Sequence, residues 1–142
     1  MAPYSEKLLK SAYHIQSIVF PQRNVPIDQI YEPLSVEFNS YTPKSKTYST
    51  DDLLNLDRHF QVIDDAGMGK TTFLKHLAMQ AFRKTEKIPI ILYLRNYDQS
   101  ISIAENLCRE LDCIGNKFDR NLFNHLINAG KFFIFLDGFD EA

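Results

Sequence analysis

With 142 residues, 44% of them hydrophobic and 24% charged, the chain is long enough to bury a core and has the balance of a soluble globular domain. A formal net charge of −2 excludes the strongly basic balance of general nucleic-acid binders, so no direct nucleic-acid contact is expected. The two cysteines, Cys108 and Cys113, stand at C-x4-C spacing with no second Cys/His pair, which argues against zinc and for reduced thiols in a cytoplasmic protein.

From the N-terminus, "MAPYSEKLLKSAYHIQSIVF" has no apolar run of the length a signal peptide or membrane span needs, and no membrane partner is expected. Leu8, Leu9, Ala12, Ile15 and Ile18 or Val19 recur at three- and four-residue steps. This predicts a helix over 4–20 that Pro21 ends, within a lead segment, 1–24, that carries no motif. Pro26 and Pro33 forbid a long helix in 25–38, where Ile27, Ile30, Tyr31, Leu34 and Val36 suggest extended segments. Residues 39–50 read as a polar loop, and Thr50 or Asp51 is placed to cap a short helix through about Leu56.

A short strand is predicted over 59–63, followed by a glycine-rich turn and a helix over 72–84 with Phe73, Leu74, Leu77, Ala78 and Ala81 on one stripe. The run "IILYL", 90–94, reads as a strand buried on both faces. Helices follow over 100–114 and 119–129, the second with Gly130 as its C-terminal cap, and then a second buried strand, "KFFIFL", 131–136. Strand, helix, strand, helices, strand is the order of an α/β fold with mostly parallel strands. The histidines, His14, His59, His76 and His125, show no metal spacing and read as surface or packing residues.

The turn "DDAGMGKTT" carries the chemistry. A glycine-rich turn between strand and helix cradles phosphate, because backbone N–H groups and the positive end of the new helix point at one place. Ala66, Gly67, Met68 and Gly69 would form the cradle, with the two glycines allowing close backbone approach. Lys70 would reach the β- and γ-phosphates, Thr71 would bind Mg²⁺, and Thr72 would reach the α-phosphate. The phosphate-loop pattern G-x-x-x-x-G-K-[ST] is met except at its first position, where Asp64 stands, followed by Asp65. Turned inward, those two carboxylates would cost on the order of a few kcal/mol of anion binding; turned outward or hydrogen-bonded, little.

The second half is "FFIFLDGFDEA". An acidic residue where a buried strand ends can hold Mg²⁺ through its water shell, and Asp137 occupies that place. Asp140 and Glu141 follow, either able to orient or deprotonate an attacking water.

Together "DAGMGKTT" and "FIFLDGFDEA" resemble the NACHT family of signal-transducing NTPases, of the STAND class and related to AAA-type ATPases. "IPIILYLRNY", 88–97, is similar to that family's second strand. "IDQIYEPLSV", 27–36, is similar to a segment ahead of its phosphate loop. The resemblance covers 25–142 and implies a three-layer α/β/α P-loop fold that binds ATP or ADP with Mg²⁺. It implies Lys70 on the phosphates, Thr71 and Asp137 at the metal, Asp140 and Glu141 as the acidic pair with Glu141 the base, and Tyr31 and Leu34 near the adenine. Family members continue past this strand, so the chain reads as the N-terminal part of a longer, self-associating switch protein. The resemblance also connects it with defence and innate immunity. Two other readings of the residues stand beside this one: a nucleotide-binding module without hydrolysis, and a non-catalytic α/β interaction domain with a degenerate loop.

Overall fold

A computed structural model describes residues 2–16, 24–32, 36–37, 47–56, 59–65, 67–113 and 116–138. At its centre, two six-residue strands, β5 (Ile88–Tyr93) and β6 (Phe132–Asp137), run parallel in a register that sets Ile88 opposite Phe132 and Tyr93 opposite Asp137. Successive side chains of a strand point to opposite faces. Ile91 therefore shares one face with Phe133 and Phe135, and Ile90 and Leu92 share the other with Phe132.

The first face takes helix α4 (Lys70–Lys84), whose Phe73, Leu77, Ala78, Met79 and Ala81 are buried against it. The second takes α5 (Ile103–Glu110) and α6 (Arg120–Asn128), through Leu107, Cys108, Leu111 and Phe123. The chain is thus mixed α/β, with helices on both faces of a small parallel sheet. Each helix on the second face starts on a side-chain cap: Ser102 accepts from the N–H of Glu105, and Asp119 from that of Leu122. At the far end of α6, Gly130, with φ 64, donates to Ile127 and Lys131 donates to Leu126. That is the Schellman geometry, and it confirms Gly130 at the helix stop.

The N-terminal segment packs on the same cores. Helix α1 (Ala2–Leu8) and the π-helical turn Leu9–Tyr13 bury Tyr4, Leu8 and Ala12 against β5 and α4. The Tyr4 hydroxyl donates to the carbonyl of Pro89 at 2.6 Å. Lys7 Nζ donates to the backbone carbonyls of Glu110, the last residue of α5, and Asp112 just beyond it.

The expected helix over 4–20 does not run that far. Residues His14–Gln16 form β1, antiparallel to β2 (Asn24–Pro26), with Ile15 opposite Val25. Both facing residues are β-branched and favour extended backbone, which outweighs the helical spacing once Leu8 and Ala12 are seated. Pro21 lies outside the described residues. Beyond β2 the chain makes the short helix α2 (Ile27–Ile30), and β3 (Val36–Glu37) pairs with β4 (Thr47–Tyr48). Ser49, not Thr50 or Asp51, caps α3 (Thr50–Leu54), in a reciprocal capping box with Asp52, and Thr50 is buried inside the helix.

Two further expectations change. Residues 59–63 join no strand ladder, although Phe60 and Val62 turn inward to the cluster of Leu53, Leu54, Phe73, Leu77 and Ala81 while Ile63 is 82% exposed. The alternation of a strand is present without a neighbour to hydrogen-bond it. β6 is buried only in part: Ile134 and Leu136 are 42% and 41% exposed, because no element covers them among the described residues.

Candidate functional site

Residues 59–65 lead into a loop whose two glycines both take left-handed backbone angles, Gly67 at φ 83 and Gly69 at φ 87. Most side chains resist this region, which explains glycine at both positions. A Cβ built on either would meet nothing within 4 Å, so the space over the loop is open. Gly69 is also the N-terminal cap of α4 and brings no side-chain acceptor. The first-turn N–H groups of a helix have no intrahelical acceptor, and in α4 that turn is Lys70, Thr71 and Thr72.

Lys70 folds back over its own loop. Its Nζ donates to the carbonyl oxygens of Asp64 at 2.8 Å and Asp65 at 3.2 Å. Both of these contacts are made by backbone carbonyls. The Asp64 carboxylate accepts from the N–H of Asp65 at 2.8 Å, on the exposed side of the turn. The residue that departs from the phosphate-loop pattern is therefore spent on a local hydrogen bond.

In the first turn of α4, the Thr71 hydroxyl donates to Oδ1 of Asp137 at 3.1 Å, a contact spanning 66 positions of sequence. α4 starts where β6 ends, and this juxtaposition brings the glycine loop and the acidic strand together. A hydroxyl and a carboxylate are hard oxygen donors that suit Mg²⁺ when phosphate oxygens and water complete its shell. Among the described residues no group of three or more His, Cys, Asp or Glu could hold a metal unaided.

Three further polar side chains, Tyr93 and Arg95 at the carboxyl end of β5 and Lys75 on α4, were passed over by the motif reading. Tyr93 stands opposite Asp137 in the ladder. Its hydroxyl is pushed up by burial and by the Asp137 charge. Arg95 lies over the Tyr93 ring, 5.4 Å from its centroid. Lys75 is half-buried, and burial pulls its ammonium below the usual lysine range against the opposing pull of Asp137. The signal for Lys75 was its four-residue step from Thr71, which puts both on one helix face.

Tyr31 was expected near the base of a nucleotide. It stacks on His76 of α4, with ring centroids 3.9 Å apart and planes 15° from parallel. Arg83 and Asp28 pair at 2.7 Å beside it, fixing α2 to α4. The stack half-buries His76, whose imidazole is pulled below its ordinary value chiefly by burial, and whose Nδ1 is buried with no hydrogen-bond partner. Met68 and Thr72 flank the loop, exposed and half-buried respectively. Ala66, Leu34, Asp140 and Glu141 lie outside the described residues. Both cysteines are free thiols, and no helix among the described residues is long and apolar enough to cross a membrane.

No family model and no solved structure matches the chain. It is similar to an uncharacterized WD repeat-containing protein of Nostoc sp., 25% identical over 143 aligned positions that take in 81% of this chain. The chain spans only 9% of that protein's length.

Proposed function

We propose that this chain is the nucleotide-binding module of a NACHT-type switch protein, with a three-layer P-loop fold that grips ATP or ADP with Mg²⁺ and hydrolyses ATP slowly. The observation that carries this reading is the 3.1 Å contact between Thr71, on the helix after the glycine loop, and Asp137, at the end of β6. A structural α/β domain has no need of a hydroxyl and a carboxylate converging beside an uncapped helix start. The similarity to a small share of a much longer protein agrees with a module inside a larger switch. Self-association belongs to that larger protein, and the preference for ATP rests on the resemblance of the two motifs.

In this reading the N–H groups of Lys70, Thr71 and Thr72 hold the phosphates, and the Lys70 ammonium exchanges the carbonyls of Asp64 and Asp65 for phosphate oxygens. Mg²⁺, when bound, draws phosphate charge towards Thr71 and Asp137. Glu141 is assigned to the attacking water, with Asp140 beside it.

A thermal shift with Mg-ATP and Mg-ADP, on the native chain and on Lys70→Ala, tests the binding. Ligand at about a hundred times its dissociation constant adds about 2.7 kcal/mol to stability. The shift is expected in the native chain and absent in the variant. A cooperative melt that neither nucleotide moves would overturn the reading. Phosphate release is expected to vanish in Glu141→Gln while binding persists.

A further inference from the structure

Side-chain contacts that join segment 27–31 to α4 include the Asp28–Arg83 ion pair and the stack of Tyr31 on His76. We propose that this stack is an acid-operated latch: proton uptake by His76 releases the Tyr31 end of the segment from α4, while Ile27, the sheet and the glycine loop stay in place. The latch stands independently of the nucleotide reading. Ile27 is fully buried and forms the fixed end. Tyr31 is half-buried and closes α2 by donating its N–H to the Ile27 carbonyl at 2.8 Å. His76 sits inside a helix of 15 residues, whereas α2 has four, so the shorter element is the one that gives way.

The geometry around the imidazole makes it the moving part. Its Nδ1 is buried with no hydrogen-bond partner. A neutral imidazole tolerates this, because one of its nitrogens is a bare acceptor. An imidazolium carries N–H on both, so protonation would bury a charged donor with nothing to receive it. The charged groups that face the ring are Asp28 of α2, Asp51 of α3, and Arg83 and Lys84 of α4. Each carboxylate already holds a cation, Asp28 that of Arg83 at 2.7 Å and Asp51 that of Lys84 at 2.5 Å. An imidazolium therefore arrives where the charges are in balance. Tyr31 lies almost parallel over one face of the imidazole, and moving its ring admits water. An aromatic face does attract a cation, but by less than a buried charged donor without an acceptor costs.

The chain has no tryptophan, so Tyr31→Trp places a single fluorescent reporter on His76. As pH falls from about 7.5 to about 5, its emission should move to the red while far-UV circular dichroism stays unchanged. The midpoint should lie below 6.5, the ordinary value for histidine. His76→Phe and His76→Gln, which take up no proton there, should abolish the pH dependence. Arg83→Gln leaves Asp28 for the imidazolium and should raise the midpoint by roughly one pH unit. In the native chain, nuclear magnetic resonance should show the His76 ring protons losing the upfield displacement caused by the Tyr31 ring over the same range. A His76 that titrates with its ring protons still displaced, or a reporter that is quenched without a red shift, would mean that the imidazole charges in place and would overturn the latch. A red shift that persists in His76→Phe, or that comes only with loss of circular dichroism, would overturn it as well.

Discussion

Gly69 combines two demands, a left-handed backbone at φ 87 and the N-cap of α4 with no side chain. Gly69→Ala is expected to cost about 1–2 kcal/mol of stability from the backbone alone, since the added Cβ touches no protein atom. The same Cβ points into the space assigned to phosphate, so nucleotide affinity should fall further than stability does. Comparing urea midpoints with nucleotide titrations of the one variant separates the two effects. Much of this was legible in the sequence, because glycine, lysine and threonine at fixed spacing have few other uses. The fate of Asp64 was not. Whether a carboxylate faces an anion or its own neighbour's N–H depends on side-chain torsions that spacing does not encode, and here it takes the neighbour.

Elements were readable where one periodicity prevailed. α4, α5, α6 and β5 lie where apolar stripes and an unbroken apolar run place them, since each buries one face against the same small sheet. The reading failed where local preference met a pairing it could not foresee: His14–Gln16 pairs with Asn24–Pro26, and 59–63 lacks a neighbour. It also gave no sign that Tyr4 would reach Pro89, 85 positions away. Two substitutions rank what holds the elements together. Phe123 is almost fully buried between α6 and Phe132, and Phe123→Ala should cost about 3–5 kcal/mol through the cavity it leaves. Tyr4→Phe keeps the ring but orphans the Pro89 carbonyl, and should cost about 1–3 kcal/mol. Urea midpoints in that order would support packing, ahead of the single hydrogen bond, as the larger contribution.

For the whole molecule, acidification should act in two stages. The His76 imidazole sits below its ordinary value of 6.5 in the folded state, so the unfolded chain takes up that proton first. Stability is therefore full above about 6.5 and falls as pH drops below it. Asp28 and Asp112 are held below 3.8 by hydrogen bonds from Arg83 and Arg120. Their contribution is present above 3.8 and lost as pH falls through the lower folded-state values. Urea unfolding across pH 7.5 to 3 should show both declines, and His76→Phe should remove the first. A stability that rises between pH 7 and 5.5 would contradict the neutral, buried imidazole.

The hydrogen bond from Tyr4 also bears on where the sheet can grow. Ile88 donates to the Lys131 carbonyl, so its backbone faces β6; strand alternation then turns that of Pro89 the other way. Proline offers no N–H on that outer side, and Tyr4 occupies its carbonyl. At Pro89 the outer margin of β5 therefore offers an incoming chain neither donor nor acceptor, a local guard against the edge-to-edge assembly that open strands invite. The flank of β6, which has no strand paired to it among the described residues, carries no such block.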